Sequence, residues 1–386
     1  MFYDWFINIV TTVTDYYYAL LSSSWSLSVS VETGETVMRQ PSPEPGPGER
    51  LETVVETNPG LVNLPDEDGL TPLHLAALSG NLRALEVFLS SRGVSVDQPD
   101  TGGHSALHWA AVCQRADCVS LLHQHGAQIN LPDQTGAGAL HYAVQTDQPD
   151  LVSVLLDLGA DINLRDGLGR SPTMWAASCD SLASLDLLLA AGPDLEARDD
   201  QSLTALHTGA ARGNVRSLEA LLDHQPGLLD LPDSDGAPAL FYAASQGRLD
   251  CVKLLTERKA AVRLRDRLGR TALTSSLTSS STEVLPVCQV LLAAGADLAV
   301  TTEEGDSVLH LAVSRRLVET VVWILNSAPA LINKQNRAGL TPLHLASSLN
   351  HIREVSSCRC PIVLIVTNIV SESARFCWIF IATAIP

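Results

Sequence analysis

Apolar residues recur along most of the chain at the spacing of one helix face, in short segments that are separated by polar turns. The pattern is clear in three segments far apart in the chain: Leu151, Val154 and Leu155; Leu185, Leu188 and Leu189; Val252, Leu254 and Leu255. Residues three and four positions apart share one face of an α-helix, so each segment predicts an amphipathic helix. A glycine follows, as in GADIN at Gly159 to Asn163, and marks the expected end of the helix.

A second apolar pattern precedes each of these helices and is repeated almost unchanged. GLTPLHLAA at residues 69–77 returns as GLTPLHLAS at residues 339–347, and seven related segments lie between them. When each unit is counted from three residues before this glycine position, the nine units start at residues 66, 100, 133, 166, 199, 233, 266, 302 and 336. Nine matches in one register, 33 to 36 residues apart, identify an internal repeat.

Each unit predicts a turn followed by two helices. An Asp-x-x-Gly turn opens most copies, because glycine readily takes the positive φ that such turns need. A Thr or Ser then precedes the first helix, where its hydroxyl can cap free backbone N–H groups. Small residues in that helix, such as Ala76 and Ala77, allow a neighbour to pack closely. Since neither helix can bury its apolar face within one unit, adjacent units must stack.

This frame resembles the ankyrin repeat, whose signature D-x-x-G-x-T-P-L-H-x-A-A is followed by L-L and G-A-D-x-N. The resemblance covers about 66–357 and implies an all-α repeat fold, a solenoid of stacked helix-turn-helix units with β-hairpin loops. It also implies the family's usual activity, which is to bind other proteins. The ALHW and MWAA helices are similar, more narrowly, to those of the inversin group of ciliary ankyrin proteins.

The ends of the chain differ from the repeats. Residues 1–37 form an apolar, aromatic leader that we expect to be disordered, and residues 38–50 form a Pro/Gly-rich linker. Residues 51–65 predict a partial ankyrin unit, because ETNPGLVNLP parallels DHQPGLLDLP at residues 223–232. About nine repeats occupy 66–357, the last one incomplete, and a hydrophobic tail occupies 358–386.

Composition and charge narrow the class of partner. The 43 acidic and 25 basic residues give a formal net charge of −18, which disfavours nucleic-acid binding. RLRDRLGR at residues 263–270 is a basic exception, but it falls in the turn between the sixth and seventh units and parallels NLRDGLGR at residues 163–170. Eight cysteines at irregular spacing in a long chain favour a reduced, intracellular compartment.

No residue pattern predicts catalysis, a metal or a cofactor. Six of the eleven histidines share one position of the repeat, where the family resemblance implies a hydrogen bond near the turn: His74, His108, His141, His207, His310 and His344. His123 and His125 have no third ligand nearby in the sequence. Nucleotide-binding and hydrolase motifs are missing from the sequence. The sequence therefore predicts a protein that is not an enzyme.

Cysteines and aromatic residues also follow the repeat. Cys118 and Cys251 share a second-helix position that is expected to be buried, whereas Cys113 and Cys179 share a position expected to face solvent. Trp109, Tyr142, Trp175 and Tyr242 directly follow the histidine position. They could form a binding ledge, but leucine fills the same position in other units, which favours packing.

The candidate contact residues lie at the tips of the turns, which by resemblance project on the concave side. They occupy positions one, two and four after the start of a unit: Glu67, Asp68, Leu70, His104, Arg170, Arg267, Arg270, Glu303, Glu304 and Asp306. We expect one or more protein partners, a monomeric chain and a cytoplasmic location. The alternatives are a membrane-associated protein anchored by its hydrophobic ends, a nuclear regulator, and a cilium-associated protein.

The seventh unit departs most from the repeat. Its first helix reads TALTSSLTSSST, without the histidine or the alanine pair, and three extra residues precede Val287. The sequence predicts a looser joint here and a Ser/Thr cluster open to phosphorylation.

Overall fold

The computed structural model describes residues 26–29, 36–39, 51, 55–56, 58–279 and 281–348, and it divides at Leu168 into two compact units, residues 1–168 and 169–386. The first unit begins with an antiparallel strand pair, β1 (Ser26–Val29) and β2 (Thr36–Arg39), with Ser26 opposite Arg39. A 3-10 helix follows at Pro59–Asn63, within the segment expected to be a partial repeat. The remainder of the expected leader, linker and tail lies outside the described residues.

Each of the first eight repeats contributes a short first helix and a longer second helix, and the ninth contributes its first helix to the described residues. In the first unit these are α1 (Pro72–Ser79), α2 (Leu82–Ser90), α3 (Ala106–Val112), α4 (Ala116–Gln124), α5 (Ala139–Gln145) and α6 (Pro149–Asp157). In the second unit they are α7 (Pro172–Cys179), α8 (Leu182–Ala191), α9 (Ala205–Arg212), α10 (Val215–His224), α11 (Ala239–Ser245), α12 (Leu249–Glu257), α13 (Ala272–Ser276), α14 (Val284–Ala293), α15 (Val308–Ser314), α16 (Val318–Ser327) and α17 (Pro342–Ser348). Two further 3-10 helices lie at Pro226–Leu228 and Pro329–Asn333.

Within each unit the helices form two layers. The odd-numbered helices pack on one another in chain order, α1 to α5 in the first unit and α7 to α17 in the second. The even-numbered helices pack likewise in a second layer, α2 to α6 and α8 to α16. This architecture confirms the predicted all-α repeat solenoid class for the described repeats.

The core of each repeat lies between its two helices and the neighbouring first helix. Leu107 on α3 and Leu185 on α8 are fully buried, as the amphipathic pattern requires. Ala110 and Ala111 on α3 are also completely buried, and their small side chains let the first helices approach closely. Burial of such leucines stabilises the stack by about 2 kcal/mol each relative to exposure.

The seventh repeat is the least regular one described. Its first helix α13 has five residues, whereas the other first helices have seven or eight. Thr274 occupies the histidine position, and its Oγ1 accepts a hydrogen bond of 2.8 Å from the backbone N–H of Thr271. Helix α13 packs more extensively on α11 than on α15. This geometry supports the looser joint predicted at the seventh unit, which remains a prediction.

Candidate protein-binding surface

The turn that opens most repeats is held by an aspartate, which is buried at Asp133, Asp166, Asp233 and Asp266. Asp133 is the clearest case, with a fully buried side chain. Its Oδ1 accepts hydrogen bonds from the backbone N–H of Thr135 at 2.7 Å and of Ala137 at 3.0 Å. The backbone closes the same turn, since Asp133 N–H donates to the carbonyl of Ala137 at 2.9 Å. An aspartate therefore satisfies the turn's N–H groups from inside and fixes the tip.

Neighbouring turns are joined by backbone hydrogen bonds. The N–H of Gly167 donates to the carbonyl of Thr135 at 2.6 Å. A Cβ at Gly136 would lie 2.4 Å from the nitrogen of Gly167, and Gly136 has a φ of 79°, so this position requires glycine. The same bond runs from the first tip residue of one turn to the second tip residue of the previous turn at four other places: Thr101 to Asp68, Gln134 to Gly102, Arg267 to Asp235 and Arg337 to Glu304.

The aromatic residues after the histidine position bind the turn aspartates. The indole N–H of Trp109 donates to Asp100 at 2.9 Å, and the hydroxyl of Tyr242 donates to Asp233 at 2.6 Å. The hydroxyl of Tyr142 makes the equivalent bond to Asp133. Burial and the neighbouring aspartate raise the pKa of Tyr142 and of Tyr242, so both remain protonated donors. These bonds hold the three rings against their own turns, which favours the predicted packing role over a binding ledge.

His104 connects two adjacent turns. Its Nδ1 lies 3.2 Å from Oδ1 of Asp100, and its Nε2 lies 3.5 Å from Oδ2 of Asp133. Burial alone would raise the pKa of Asp100, but hydrogen bonds from His104 and Trp109 outweigh it and lower this pKa to about 2. His104 is only 12% exposed, so its side chain contributes to the turns more than to the surface.

Three of the histidines at the shared position, His74, His207 and His310, link successive repeats. Nδ1 of His207 accepts a hydrogen bond of 3.2 Å from the N–H of Thr204, and Nε2 lies 3.1 Å from the carbonyl of Ala237 in the next turn. His74 and His310 make the same pair of bonds. Burial lowers the pKa of His108 to about 4 and also lowers the pKa of His74 and His207. The rings of His74, His108 and His207 are therefore neutral framework groups, as the family resemblance implies.

Arginines in the second unit hold neighbouring turns together, a role that sequence reasoning did not find. Nη1 of Arg198 donates to the carbonyls of Ser202 at 3.0 Å and of Pro232 at 2.6 Å. Arg265 occupies the same position of its repeat and donates to the carbonyls of Gly269 and Thr301, both at 3.1 Å. Arginine recurs immediately before the turn aspartate, and this sequence pattern could have indicated the role.

The ten candidate contact residues fall into two groups. Five are exposed at the tips: Glu67, Asp68, Arg267, Glu303 and Glu304. The others are half-buried and mostly engaged within the protein: Leu70, His104, Arg170, Arg270 and Asp306. Arg270 pairs with Asp266 at 2.6 Å, the guanidinium of Arg170 lies 5.1 Å from the ring centre of Trp175, and Asp306 accepts a bond from Asn336 at 2.8 Å.

Three of the four cysteines with a predicted environment occupy it, and Cys113, expected to face solvent, is only partly exposed. Cys118 and Cys251 are buried, Cys179 is exposed and Cys113 is half-buried. Burial raises the pKa of Cys251 to about 12, so its thiol is protonated and unreactive. In the described part of the chain, no group of three or more His, Cys, Asp or Glu side chains could hold a metal ion. Nor does any described helix combine the length and apolar character needed to cross a bilayer.

Two-layered stacks of helix pairs, joined by turns that are pinned by aspartate, glycine and histidine, define a class of repeat proteins that act as interaction modules. The model of the family described as ankyrin repeats matches six overlapping segments of the chain, residues 49–133, 73–166, 140–231, 173–266, 206–298 and 277–356. The chain belongs to the ankyrin-repeat family.

Individual relatives match only through part of their length. The chain is 35% identical over 119 residues to the E3 ubiquitin-protein ligase KEG of Arabidopsis thaliana, which covers 30% of this chain and 7% of the relative. It is 33% identical over 121 residues to the neurogenic locus notch homolog protein 1 of Xenopus laevis, covering 31% and 5%. It is 28% identical over 151 residues to the intracellular phospholipase A2 of Caenorhabditis elegans, covering 36% and 14%. The chain thus spans a small fraction of each of these relatives.

Proposed function

We propose that this chain is a non-enzymatic scaffold or adaptor that binds protein partners through its turn tips and the adjoining first helices. The observation that carries the proposal is the contrast within each turn. Backbone groups and buried side chains are satisfied internally, while tip residues such as Glu67, Arg267 and Glu303 project into solvent. Rigid loops that carry varied exposed side chains suit protein recognition, because little conformational entropy is lost on binding.

The similarity to enzymes does not extend the proposal to catalysis. Ankyrin repeats are typically non-catalytic modules, and the matches to the ubiquitin ligase and the phospholipase cover 7% and 14% of those proteins. Both enzymes therefore have most of their length outside the shared repeats.

The net charge of the chain bears on the class of partner, and its apolar terminal segments bear on the membrane-associated alternative. A net charge of −18 supports protein over nucleic acid as the partner. We propose a monomer in the cytoplasm, with ciliary and nuclear locations as alternatives; the likeness to the inversin group remains a hypothesis. The membrane-associated alternative rests on residues 1–37 and 358–386, which lie almost entirely outside the described part of the chain.

The test compares two matched surface variants of the full chain as bait for proteins captured from cell lysate. The tip variant replaces by serine five exposed charged residues of the turns: Glu67, Asp68, Arg267, Glu303 and Glu304. The control variant replaces by serine five exposed residues of the second helices with the same balance of four acidic and one basic: Glu86, Asp117, Asp186, Arg216 and Glu257.

Quantitative mass spectrometry should find proteins that the parent chain and the control variant retain and that the tip variant loses. Direct binding of the best such protein, after purification, should show the same order. Equal retention by the tip variant and the parent would refute binding through the turns. Circular dichroism of all three chains checks that the variants are folded.

A further inference from the structure

Four consecutive turns of the second unit carry charges of alternating sign. We call residues 230–237, 263–270, 299–306 and 333–340 the charged ridge. The first turn has Asp230, Asp233 and Asp235 and no basic residue; the second has Arg263, Arg265, Arg267 and Arg270 with one acidic residue, Asp266; the third has Glu303, Glu304 and Asp306 and no basic residue; the fourth has Lys334 and Arg337 and no acidic residue. The ridge is therefore negative, positive, negative and positive in order.

The backbone of the ridge is held in place at both its ends. The N–H of Arg267 donates to the carbonyl of Asp235 at 2.7 Å, and the N–H of Arg337 donates to the carbonyl of Glu304 at 3.0 Å. Between these pairs, Arg265 donates to the carbonyl of Thr301 at 3.1 Å. Because these backbone N–H and C=O groups already bond to one another, a partner would be recognised by the side chains of the tips rather than by backbone hydrogen bonds of an added β-strand.

The side chains at the tips are exposed and do not neutralise one another by direct contact. Asp235, Arg267, Glu303, Glu304 and Arg337 are all exposed, and no ion pair within 4.0 Å joins any of them to another described side chain. In the same ridge Arg270 is engaged by Asp266 at 2.6 Å, so pairing does occur where the geometry permits it. The tip charges are therefore available to a partner.

An exposed leucine lies within the basic turn. Leu268 is 53% exposed and directly follows Arg267. An apolar side chain between charges offers a contact that does not depend on salt, which a purely ionic surface lacks.

The spacing of the turns sets the spacing of the partner's charges. Packed helices lie about 8–10 Å apart, so successive turns are separated by a similar distance. An extended chain advances about 3.3 Å per residue, so three residues of a partner match one turn. We propose that the charged ridge binds an extended protein segment in which basic and acidic side chains alternate at every third residue. This inference rests on the proposed protein-binding function.

A partner of one sign fits less well. A uniformly acidic segment would meet Arg267 and Arg337 favourably but would be repelled by Asp235 and by Glu303 and Glu304. A uniformly basic segment has the opposite problem. The alternating charges therefore attract a matching segment and also discriminate against segments of a single sign.

The test uses the full chain and two fluorescein-labelled peptides of identical composition. The alternating peptide is Lys-Gly-Ser-Glu-Gly-Ser-Lys-Gly-Ser-Glu, and the blocked peptide places both lysines at one end and both glutamates at the other. Fluorescence anisotropy at low salt should show about tenfold tighter binding of the alternating peptide. The preference should disappear at about 1 M salt, where charges are screened over about 3 Å.

Charge reversal with compensation tests the assignment of the ridge. Arg267→Glu should weaken binding of the alternating peptide about fivefold, and a peptide in which lysine replaces the first glutamate should restore it. Arg216→Glu is the matched control, since Arg216 is exposed on α10 and the change in net charge is the same. Urea denaturation of each variant verifies that its stability is that of the parent.

Each outcome has one meaning. Equal binding of the two peptides, or equal effects of Arg267→Glu and Arg216→Glu, would overturn the inference. Should the tip variant still lose captured proteins while the peptides show no preference, the ridge inference fails and the protein-binding function stands. Should the tip variant retain every captured protein, the proposed function itself fails.

Discussion

Replacing the histidine that joins two repeats should reveal how much the turn framework contributes to stability. His207 is completely buried and accepts a hydrogen bond from the N–H of Thr204, so His207→Phe leaves that N–H without a partner. A buried, unpaired N–H costs about 1–3 kcal/mol, and the lost bond to the carbonyl of Ala237 costs about 1 kcal/mol more. That carbonyl retains the N–H of Asp233 at 3.0 Å, which limits the second cost. We expect a total loss of about 2–4 kcal/mol.

The sixth repeat supplies the compensating change. Phe241 occupies the histidine position there, and the residue before its helix is Pro238, which has no N–H to satisfy. The backbone of Thr204 (φ −93°, ψ 173°) is close to that of Pro238 (φ −79°, ψ 170°), so proline fits at residue 204. The double variant Thr204→Pro with His207→Phe should recover about 1–2 kcal/mol of the loss, because the unpaired N–H is removed.

A double-mutant cycle measures this coupling. Urea denaturation followed by circular dichroism gives the midpoints, and native-state hydrogen exchange of α9 gives the local free energy of opening, which is needed because repeat arrays need not unfold in two states. Thr204→Pro alone is the third corner of the cycle. A loss below about 0.5 kcal/mol for His207→Phe, or a double variant less stable than His207→Phe alone, would refute the reasoning.

Three further predictions concern the same framework. Thr173 is buried at the position where other repeats have leucine, and its Oγ1 has no hydrogen-bond partner. Thr173→Val should therefore raise the free energy of unfolding by about 1 kcal/mol, which is measured as a higher urea midpoint. An unchanged midpoint would contradict this. Burial lowers the pKa of His108 to about 4 in the folded state, so the unfolded state takes up the proton first as the pH falls. The free energy of unfolding should therefore be at its maximum above pH 6.5 and fall by up to about 3 kcal/mol as the pH drops to 4. His108→Asn, which keeps an acceptor near Nδ1, should flatten that fall in urea titrations at successive pH values; an unchanged slope would count against His108 as its source. Thr274→His should restore the hydrogen bond to the next turn and increase the hydrogen-exchange protection of α13. Unchanged protection would contradict this and would mean that the joint is already as rigid as its neighbours.

The repeat frame, the helix pairs and the structural histidines could be predicted from the sequence, because each depends on a local pattern that recurs in most of the nine units. The buried environments of Cys118 and Cys251 follow from the same pattern. Of the ten candidate contact residues, His104 and Arg270 were chosen by their place in the turn, yet both bind aspartates within the protein. Their partners are set by how side chains of adjacent turns meet, and a repeat pattern does not specify that.

The separation of framework and tip explains why the tips can vary. The residue directly after the start of each turn is Glu67, Thr101, Gln134, Gly167, Asp200, Ser234, Arg267, Glu303 and Arg337 in the nine repeats. At several of these positions the residue contributes its backbone N–H to the previous turn, as Thr101, Gly167 and Arg337 do. A side chain at residue 167 would meet the carbonyl oxygen of Thr135 at 2.6 Å, so that position is restricted to glycine. At Arg267 and Arg337 the bond comes from the backbone N–H, which any residue except proline supplies, so these tips can carry varied side chains. Substitutions at these tips should therefore change stability by less than about 0.5 kcal/mol, while they alter the charge pattern that a partner meets. The alternation of sign in the charged ridge is thus a property that the fold does not require, which makes a role in binding the simpler explanation for it.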